Sequence, residues 1–324
     1  MAFITTVIPV YNAEKFLQET LDSVAAQTRR PDRLVILDNC STDETPKIIE
    51  QFRKLYPGIS EWKRNEKNIG GLANFNRALD YSAETDILHI FSADDLIKPN
   101  FFERLAPTIE DVRGHALAHT LIQQINEAGT LLPPFLSEKN RRPVQLTQQL
   151  FLKRQADLQH IYCQSVLLGT ARKPPPVYFR VDWVQAADVI FYSEWATFCE
   201  KIVVLPEPLC LYRVHGHSAT GGNVRNLDAW VMQEWKAMQF IEKINPSPGL
   251  HNWAAAHRRK VIFGGRSIDK MRLVQNSHPL YARQIRDAVV STIGFPHWLL
   301  SHLAIRVRDI LRKVQIRRRS SREK

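Results

Sequence analysis

The sequence has few cysteines and no long apolar run, and each of these features excludes some classes of protein. Its 324 residues include four cysteines, none of them in a Cys-x-x-Cys pair, which favours a reducing compartment and argues against structural zinc. No run of about 18 apolar residues is present, so we expect no membrane-spanning helix. The residues from Met1 to Val7 contain no basic region, and we interpret them as a strand rather than as a signal peptide.

Acidic residues are outnumbered by basic ones. The chain contains 33 Asp and Glu and 44 Lys and Arg, which gives a formal net charge of +11. Residues 297–324 hold nine Lys or Arg and two acids, so this stretch carries +7 and the remainder only +4. A basic excess indicates an anionic partner. Because no recognised nucleic-acid-binding motif accompanies the charge, we expect no nucleic acid among the partners.

The first hundred residues alternate between apolar strand-like runs and amphipathic helical segments. This alternation predicts an α/β domain with a parallel sheet and helices on both faces. Ser41 followed by Glu44 looks like a capping box, with Ser41 as the N-cap of the next helix. Residues 115–215 are less regular. The predicted strands lie at residues 3–10, 33–38, 60–64, 86–92, 116–125, 162–170 and 201–205, and the early helices at 13–27 and 72–82.

Three of the early strands end in a pair of polar residues. In open α/β sheets, ligands bind outside the carboxyl ends of the strands. We therefore expect a ligand site where these ends meet. The three pairs are Tyr11-Asn12, Asp38-Asn39 and Asp94-Asp95.

A series of motifs follows the chain in a recognisable order. The motifs are Val7-Ile-Pro-Val-Tyr-Asn12, Val35-Ile-Leu-Asp38-Asn-Cys-Ser-Thr-Asp43-Glu-Thr45, Asn68-Ile-Gly70, Ser92-Ala-Asp94-Asp95, Ala187-Asp188 and Leu205-Pro-Glu-Pro-Leu-Cys-Leu-Tyr-Arg213-Val-His215. Over about residues 3–220 they resemble inverting family 2 glycosyltransferases. The resemblance implies a GT-A fold in residues 1–220, a Rossmann-like mixed sheet flanked by helices. It also implies transfer from a nucleoside diphosphate sugar, UDP-type favoured, to a glycan or lipid-linked acceptor in bacterial polysaccharide or lipopolysaccharide biosynthesis.

By this resemblance, the donor nucleotide lies against the first three motifs. Asp38 would accept a hydrogen bond from the imide N–H of a uracil-type base, and the Tyr11 ring would pack on that base. The further donor-binding residues that the resemblance implies are Pro9, Val10, Asn68 and Gly70. The alternatives are a helix N-cap role for Asp38, ordinary core packing for Tyr11, and a simple turn at Gly70.

The adjacent carboxylates Asp94 and Asp95 are candidate ligands for Mg²⁺ or Mn²⁺, which prefer oxygen ligands and would neutralise charge on a leaving diphosphate. The alternative is a solvated turn. The resemblance makes Asp95 the better metal ligand and Asp94 the better ribose or metal neighbour. The family often has an acid where this chain has Ser92. His215 could contact the metal or diphosphate and Arg213 the donor, although both could also be structural.

Asp188 is the candidate general base, which would deprotonate the acceptor hydroxyl during an in-line displacement with inversion. The family usually has Glu-Asp at this point, and Ala187 replaces the Glu. The alternative is a buried Asp that caps a helix. Asp182 and Glu194 are the substitutes if the register of the motif is different.

Beyond Gly221-Gly222 the pattern is helical, which predicts a second region over residues 221–324. Helices are predicted at 227–244, 253–273, 280–293 and 298–316. The last is amphipathic and basic, and it ends in Arg317-Arg318-Arg319. Such helices lie on anionic membrane surfaces, so we expect a cytoplasmic protein that is peripheral on the inner membrane. Alternatively, the stripe packs on the domain. The stripe consists of Leu299, Leu303, Val307, Ile310 and Val314, with Leu300 and Leu311 alongside.

Two other functions are compatible with part of this pattern. A sugar-nucleotide pyrophosphorylase shares the sheet type, but it would need a Gly-rich basic loop where this chain has Tyr11-Asn-Ala-Glu. A non-catalytic nucleotide- or membrane-binding scaffold would not need a base such as Asp188 in addition to Asp94-Asp95. We therefore favour the transferase.

Overall fold

The computed structural model describes residues 1–136, 141–159, 161–216, 224–246 and 250–320, with side chains of the last segment described from 253 to 311. The chain divides into two compact units. We call residues 1–152 with 160–221 the sheet unit, and residues 153–159 with 222–324 the helical unit.

The sheet unit is built on one nine-stranded mixed sheet, whose order is β3-β2-β1-β4-β8-β6-β9-β5 with β7 beside β9. The first four strands run parallel, β8 is antiparallel to β4 and β6, and β6 runs parallel to β9. The predicted mixed α/β class is thus confirmed. The strands are β1 Ile4–Val10, β2 Arg33–Asp38, β3 Ser60–Arg64, β4 Ile87–Ile90, β5 Leu96–Ile97, β6 His115–Ile125, β7 Val144–Leu146, β8 Val166–Gly169 and β9 Cys199–Arg213.

Six α-helices lie between these strands in the described chain, and apolar residues of the strands and helices form the core. Every residue of β1 is buried, as the continuous apolar run predicts for a central parallel strand. Ile8 of β1, Leu21 of α1 and Phe52 of α2 belong to one buried cluster. The helices are α1 Leu17–Ala25, α2 Thr45–Leu55, α3 Gly71–Ala78, α4 Phe101–Leu105, α5 Gln148–Ala156 and α6 Ala187–Ala196.

The N-cap predicted at Ser41 is wrong. Helix α2 begins at Thr45, with Glu44 at the N-cap position and Pro in the first turn. The Ser41 hydroxyl instead accepts a hydrogen bond from the N–H of Asn12, 29 residues away. A capping box is a local pattern, and here a contact between two loops takes the hydroxyl that the local pattern would have used.

The helical unit contains α7 Gln233–Ile244, preceded by a π-helical turn at Asp228–Met232, and then α8 Leu250–Val274, α9 Pro279–Ile293 and α10 Phe295–Ser320. These match the four predicted helices. Phe263 of α8 and Ile285 of α9 are fully buried in its core. Within the described residues, no single helix is both long and apolar enough to cross a membrane, and only the bent pair of α9 with residues 295–311 of α10 reaches that composition together.

Candidate active site

The loops after β1 and β2 lie side by side at one edge of the sheet. Val10 pairs with Asp38 in the parallel register, so the two strands end together. The Asn12 N–H donates to Ser41 Oγ at 3.0 Å, and the Thr42 N–H donates to Asn12 Oδ1 at 2.9 Å. Asn12 has a φ of 47°, a left-handed conformation that asparagine tolerates better than most residues. These bonds hold the two loops in one arrangement.

The end of β1 carries the chain from the interior to the surface. Pro9 and Val10 are buried, whereas the side chain of Tyr11 is 47% exposed. Tyr11 is therefore not part of the core. It presents an aromatic surface at the sheet edge, and such a surface suits a planar ring.

Asp38 is a fully buried carboxylate whose two oxygens have different surroundings. Its Oδ1 accepts a hydrogen bond from the Ser41 N–H at 2.9 Å. Its Oδ2 is buried and accepts no hydrogen bond from any described residue, and Arg64 Nη1 lies 3.4 Å away. A buried carboxylate oxygen without a hydrogen-bond partner is costly, and the Arg64 charge offsets part of that cost.

Four asparagines form a connected hydrogen-bond network beside Asp38. Asn39 donates to Asn68 Oδ1 at 2.8 Å and accepts from Asn65 at 2.8 Å, and Asn65 also donates to Asn74 at 3.1 Å. Asn68 Oδ1 accepts the Gly70 N–H as well, at 2.8 Å, while Gly70 has a φ of 91° that favours glycine. Sequence reasoning did not assign Asn65 or Asn74 to the site. The recurrence of asparagine after β2 and β3 was the available signal.

Asp94 and His215 meet at the same edge. The distance between Asp94 Oδ2 and His215 Nε2 is 2.9 Å, and the Asp94 side chain is 32% exposed. The His215 ring packs on Phe16, with 4.8 Å between ring centroids. These two residues are 121 positions apart in the sequence, and the pairing of β5 with β9 brings their segments together.

Asp95 points the other way. It is 1% exposed, and its Oδ1 accepts the backbone N–H of Arg213 at 2.7 Å. Burial and the neighbouring Asp94 raise the pKa of Asp95 well above its ordinary value. Of the two carboxylates, the structure therefore places Asp94 toward solvent and Asp95 in the interior.

Arg213 is completely buried, and the described residues occupy its guanidinium. Nε donates to the Asp94 carbonyl oxygen at 2.9 Å, Nη1 to the Glu127 carbonyl oxygen at 2.6 Å, and Nη2 to Glu19 Oε2 at 2.7 Å. Its Cζ lies 4.7 Å from the centre of the Phe16 ring. Arg213 thus fixes the backbone of Asp94 and the ring on which His215 packs.

Asp188 lies at the start of α6. Its Oδ1 accepts the Val189 N–H at 2.8 Å. Burial raises the pKa of Asp188 from an ordinary 3.8 to about 6, and hydrogen bonds from the backbone N–H groups of residues 188 and 189 oppose the shift. A carboxylate with a pKa near 6 is a stronger base than an exposed one while still being ionised at neutral pH.

Cys163 lies beside Ser92, two residues before Asp94. Ser92 Oγ and Cys163 Sγ are 3.4 Å apart. Burial and, to a smaller extent, the charges of Asp188, Asp95 and Asp94 raise the pKa of the Cys163 thiol to about 12, and the hydrogen bond with Ser92 opposes the shift. Asp182, the alternative base, lies on the exposed turn that precedes α6.

The Asp94–His215 pair fits a divalent metal that shares its coordination with a ligand. In octahedral coordination at about 2.1 Å, neighbouring ligand atoms lie about 3 Å apart, which is close to the 2.9 Å that separates Asp94 Oδ2 from His215 Nε2. No group of three His, Cys, Asp or Glu side chains converges in the described part of the chain. Two protein ligands suit a Mg²⁺ or Mn²⁺ ion that is also held by substrate phosphates.

Comparisons with known proteins give a family match in the N-terminal half of the chain. Residues 5–161 match the model of glycosyl transferase family 2. The chain is 26% identical over 211 residues to the poly(ribitol-phosphate) beta-N-acetylglucosaminyltransferase TarS of Staphylococcus aureus, across 64% of this chain and 35% of TarS. It thus spans about a third of that relative. An uncharacterized glycosyltransferase of Methanocaldococcus jannaschii is 29% identical over 213 residues, across 65% of this chain and 70% of that protein.

Solved structures agree on the fold. Staphylococcus aureus TarS in complex with UDP-GlcNAc superposes with a TM-score of 0.60 at 17% identity, covering 90% of both chains. The mannosyltransferase PcManGT from Pyrobaculum calidifontis, in complex with GDP-Man and Mn²⁺, has a TM-score of 0.52 at 17% identity and covers 95% of this chain and 87% of its own. At these identities the likeness shows the GT-A fold alone.

The family match covers residues 5–161 and agrees with the transferase resemblance of the sequence motifs. It also accords with the mixed sheet. Residues 5–161 match glycosyl transferase family 2, and the chain has the GT-A fold of the solved transferases.

Proposed function

We propose that the protein is a metal-dependent, inverting glycosyltransferase that uses a nucleoside diphosphate sugar, with a UDP-sugar favoured. The observation that carries this proposal is the contact between Asp94 Oδ2 and His215 Nε2, 2.9 Å apart, in which the Asp94 side chain is 32% exposed and the His215 side chain 6%. The TarS structure holds UDP-GlcNAc and the PcManGT structure holds GDP-Man with Mn²⁺, so two proteins of this fold bind donors of this class.

The donor base would lie on Tyr11 at the ends of β1 and β2. Oδ2 of Asp38 would accept the imide N–H of a uracil ring, and Pro9 and Val10 would form the floor of the pocket. The turn containing Asn68 and Gly70, held by the asparagine network, would bring backbone to the nucleotide. An imide N–H is required for this contact, which is why a uracil base suits the site better than a cytosine.

Asp94 and His215 would hold Mg²⁺ or Mn²⁺, which supplies positive charge to the diphosphate as it leaves. Asp95 stays a candidate ligand only if its carboxylate turns outward. In the structure it holds the backbone of Arg213, and Arg213 in turn holds that of Asp94. We therefore assign Asp95 and Arg213 positioning roles, whereas the direct contacts fall to Asp94 and His215.

Asp188 would act as the general base. The acceptor hydroxyl oxygen attacks the anomeric carbon, the bond from that carbon to the diphosphate oxygen breaks, and the hydroxyl proton passes to the Asp188 carboxylate. Attack from the side opposite the leaving diphosphate inverts the anomeric configuration. The raised pKa of Asp188, about 6, suits this transfer at neutral pH.

We further propose a glycan or lipid-linked acceptor and a peripheral position on the cytoplasmic face of the inner membrane. The support is the basic excess of residues 297–324. The polysaccharide or lipopolysaccharide pathway inferred from the resemblance belongs to the same proposal.

Calorimetric titration with UDP, CDP and GDP, each with and without Mn²⁺, tests the donor and metal assignments. We expect UDP to bind best, and we expect Mn²⁺ to raise its affinity for the wild-type protein. In the Asp94→Asn variant, Mn²⁺ should leave the affinity for UDP unchanged. Asp22→Asn, at an exposed acid on α1, is the matched control and should behave as wild type. Binding of UDP that is independent of Mn²⁺ in the wild-type protein would refute the metal site.

A further inference from the structure

Helix α10 leaves its most apolar face exposed. Six large apolar side chains of this helix are each 48–61% exposed, and they follow one another at spacings of one, three or four residues. Monomeric proteins rarely expose a contiguous apolar surface of this kind without a function for it. We call these residues the outer stripe. They are Leu299, Leu300, Leu303, Val307, Ile310 and Leu311.

A different face of α10 packs into the helical unit. Trp298, Ser301 and Ile305 are at most 5% exposed. At about 100° per residue, the middle of this face lies about 180° around the helix from the middle of the outer stripe. The stripe is therefore not the surface by which the helix is attached, contrary to the alternative that it packs on the domain.

Close packing and ion pairs determine the rotation of α10 about its axis. A Cβ on Gly264 of α8 would lie 2.3 Å from Ser301 Oγ, so the two helices meet where glycine leaves room. Ser301 Oγ donates to the Val261 carbonyl oxygen at 3.0 Å. Arg308 makes two bonds with Asp269, at 2.6 and 2.8 Å. Turning the helix to bury the stripe would break all of these contacts.

The charges of α10 indicate what covers the stripe. The helix contains seven Lys or Arg and a single acid, Asp309, which is itself paired with Arg272 at 2.9 Å. The exposed Arg306 lies beside the stripe. The side chains of Val314 and of Arg317-Arg318-Arg319 lie outside the described residues, but their types continue the same apolar and basic composition. An apolar face bordered by cations matches an anionic lipid surface.

We propose that the outer stripe inserts into the interfacial layer of an anionic lipid bilayer, with α10 parallel to the membrane plane. This inference rests on the membrane position proposed above and specifies the surface responsible. A second copy of the chain is the other candidate occupant. Pairing two stripes would bring two strongly cationic helices together without acids to compensate, whereas an anionic bilayer supplies the missing charge.

Co-sedimentation of the full chain with vesicles tests this surface. The vesicles contain either phosphatidylcholine alone or phosphatidylcholine with phosphatidylglycerol, and neither donor nor metal is added. We expect binding to the anionic vesicles, weakened by NaCl and reduced about tenfold or more in the double variant Leu303→Ser/Ile310→Ser. The double variant Leu55→Ser/Leu150→Ser removes two exposed apolar residues elsewhere and should bind as wild type.

Three results would overturn the proposal: vesicle binding unchanged in Leu303→Ser/Ile310→Ser, no preference for anionic vesicles, or a dimer in light scattering that this variant dissociates. The last would assign the stripe to self-association. UDP binding by calorimetry is measured on the same samples. Because the sheet unit contains the donor site, loss of vesicle binding with UDP binding retained separates this inference from the proposed function.

Discussion

The sheet edge and the outer stripe depart from the usual partition of residues in opposite ways. At the sheet edge, Asp38, Asn39, Asp95 and Arg213 are polar and at most 1% exposed. In the outer stripe, large apolar side chains are about half exposed. Polar groups ordinarily lie outside and large contiguous apolar surfaces inside, so both regions need a reason for their placement.

The two regions differ in how the unfavourable free energy of this placement is offset. At the sheet edge, hydrogen bonds within the chain satisfy most of the buried groups, and Arg64 Nη1 lies 3.4 Å from the remaining oxygen, Asp38 Oδ2. On α10, no contact within the described chain covers the stripe. We infer that changes at the sheet edge alter both activity and stability, whereas changes in the stripe alter surface binding alone.

The largest effect should come from Asp188→Asn. The amide cannot accept the proton of the acceptor hydroxyl, so we expect kcat to fall by about 10²–10⁴. UDP release from a UDP-sugar measures turnover. The melting temperature should change little, because the amide oxygen can still accept the Val189 N–H. Asp182→Asn is the control, and a larger loss in that variant would show that the base is misassigned.

Arg213→Met tests whether Arg213 stabilises the folded sheet edge. Removal of the guanidinium leaves the Asp94 and Glu127 carbonyls and the Glu19 carboxylate without their partner, so we expect the free energy of unfolding to fall by about 2–4 kcal/mol. Urea denaturation measures this change. Arg53→Met, at an exposed position on α2, is the control. Equal stability of the two variants would contradict the positioning role.

A pair of neighbouring glycines tests whether packing determines the rotation of α10. Gly264→Ala places a Cβ 2.3 Å from Ser301 Oγ and should lower the free energy of unfolding by about 1–3 kcal/mol. Gly265→Ala meets only Ile305, at 3.4 Å or more, and should raise stability by up to about 1 kcal/mol through helix propensity. Thermal denaturation of both variants checks the difference. Equal effects would mean that α10 does not pack on α8 at Gly264.

The smallest effect concerns pH. Because burial raises the pKa of Asp188 to about 6, the base is protonated below that pH, and kcat/KM should fall about tenfold per pH unit there. The same shift has a stability consequence of defined sign. The folded state holds this proton more tightly than the unfolded state, so the contribution of Asp188 to stability declines as pH rises from about 4 to about 6. A flat activity profile between pH 5 and about 7 would argue against Asp188 as the base.

Much of the sheet unit could be predicted because its signals are local. The continuous apolar runs of β1 and β2 and the helical spacing in residues 13–27 depend on neighbouring residues alone. Parallel strands that end together also bring their terminal polar residues to one edge, as the pairing of Val10 with Asp38 shows for β1 and β2. The prediction of an N-cap at Ser41 was wrong because a non-local contact overrides the local pattern. The backbone N–H of Asn12 donates a hydrogen bond to the Ser41 hydroxyl.

The sequence by itself therefore determined the fold class and the polar pairs that follow the early strands. Only the tertiary structure decided that Asp94 faces solvent while Asp95 is buried, and that Arg213 holds both from 118 positions away or more. It also decided which face of α10 packs and which stays exposed, since periodicity shows two faces but not which one meets a partner. The physical reason is the same for the two carboxylates, for Arg213 and for the faces of α10. Local sequence signals do not show which side chain is buried or which partner it meets, because contacts between distant segments decide both.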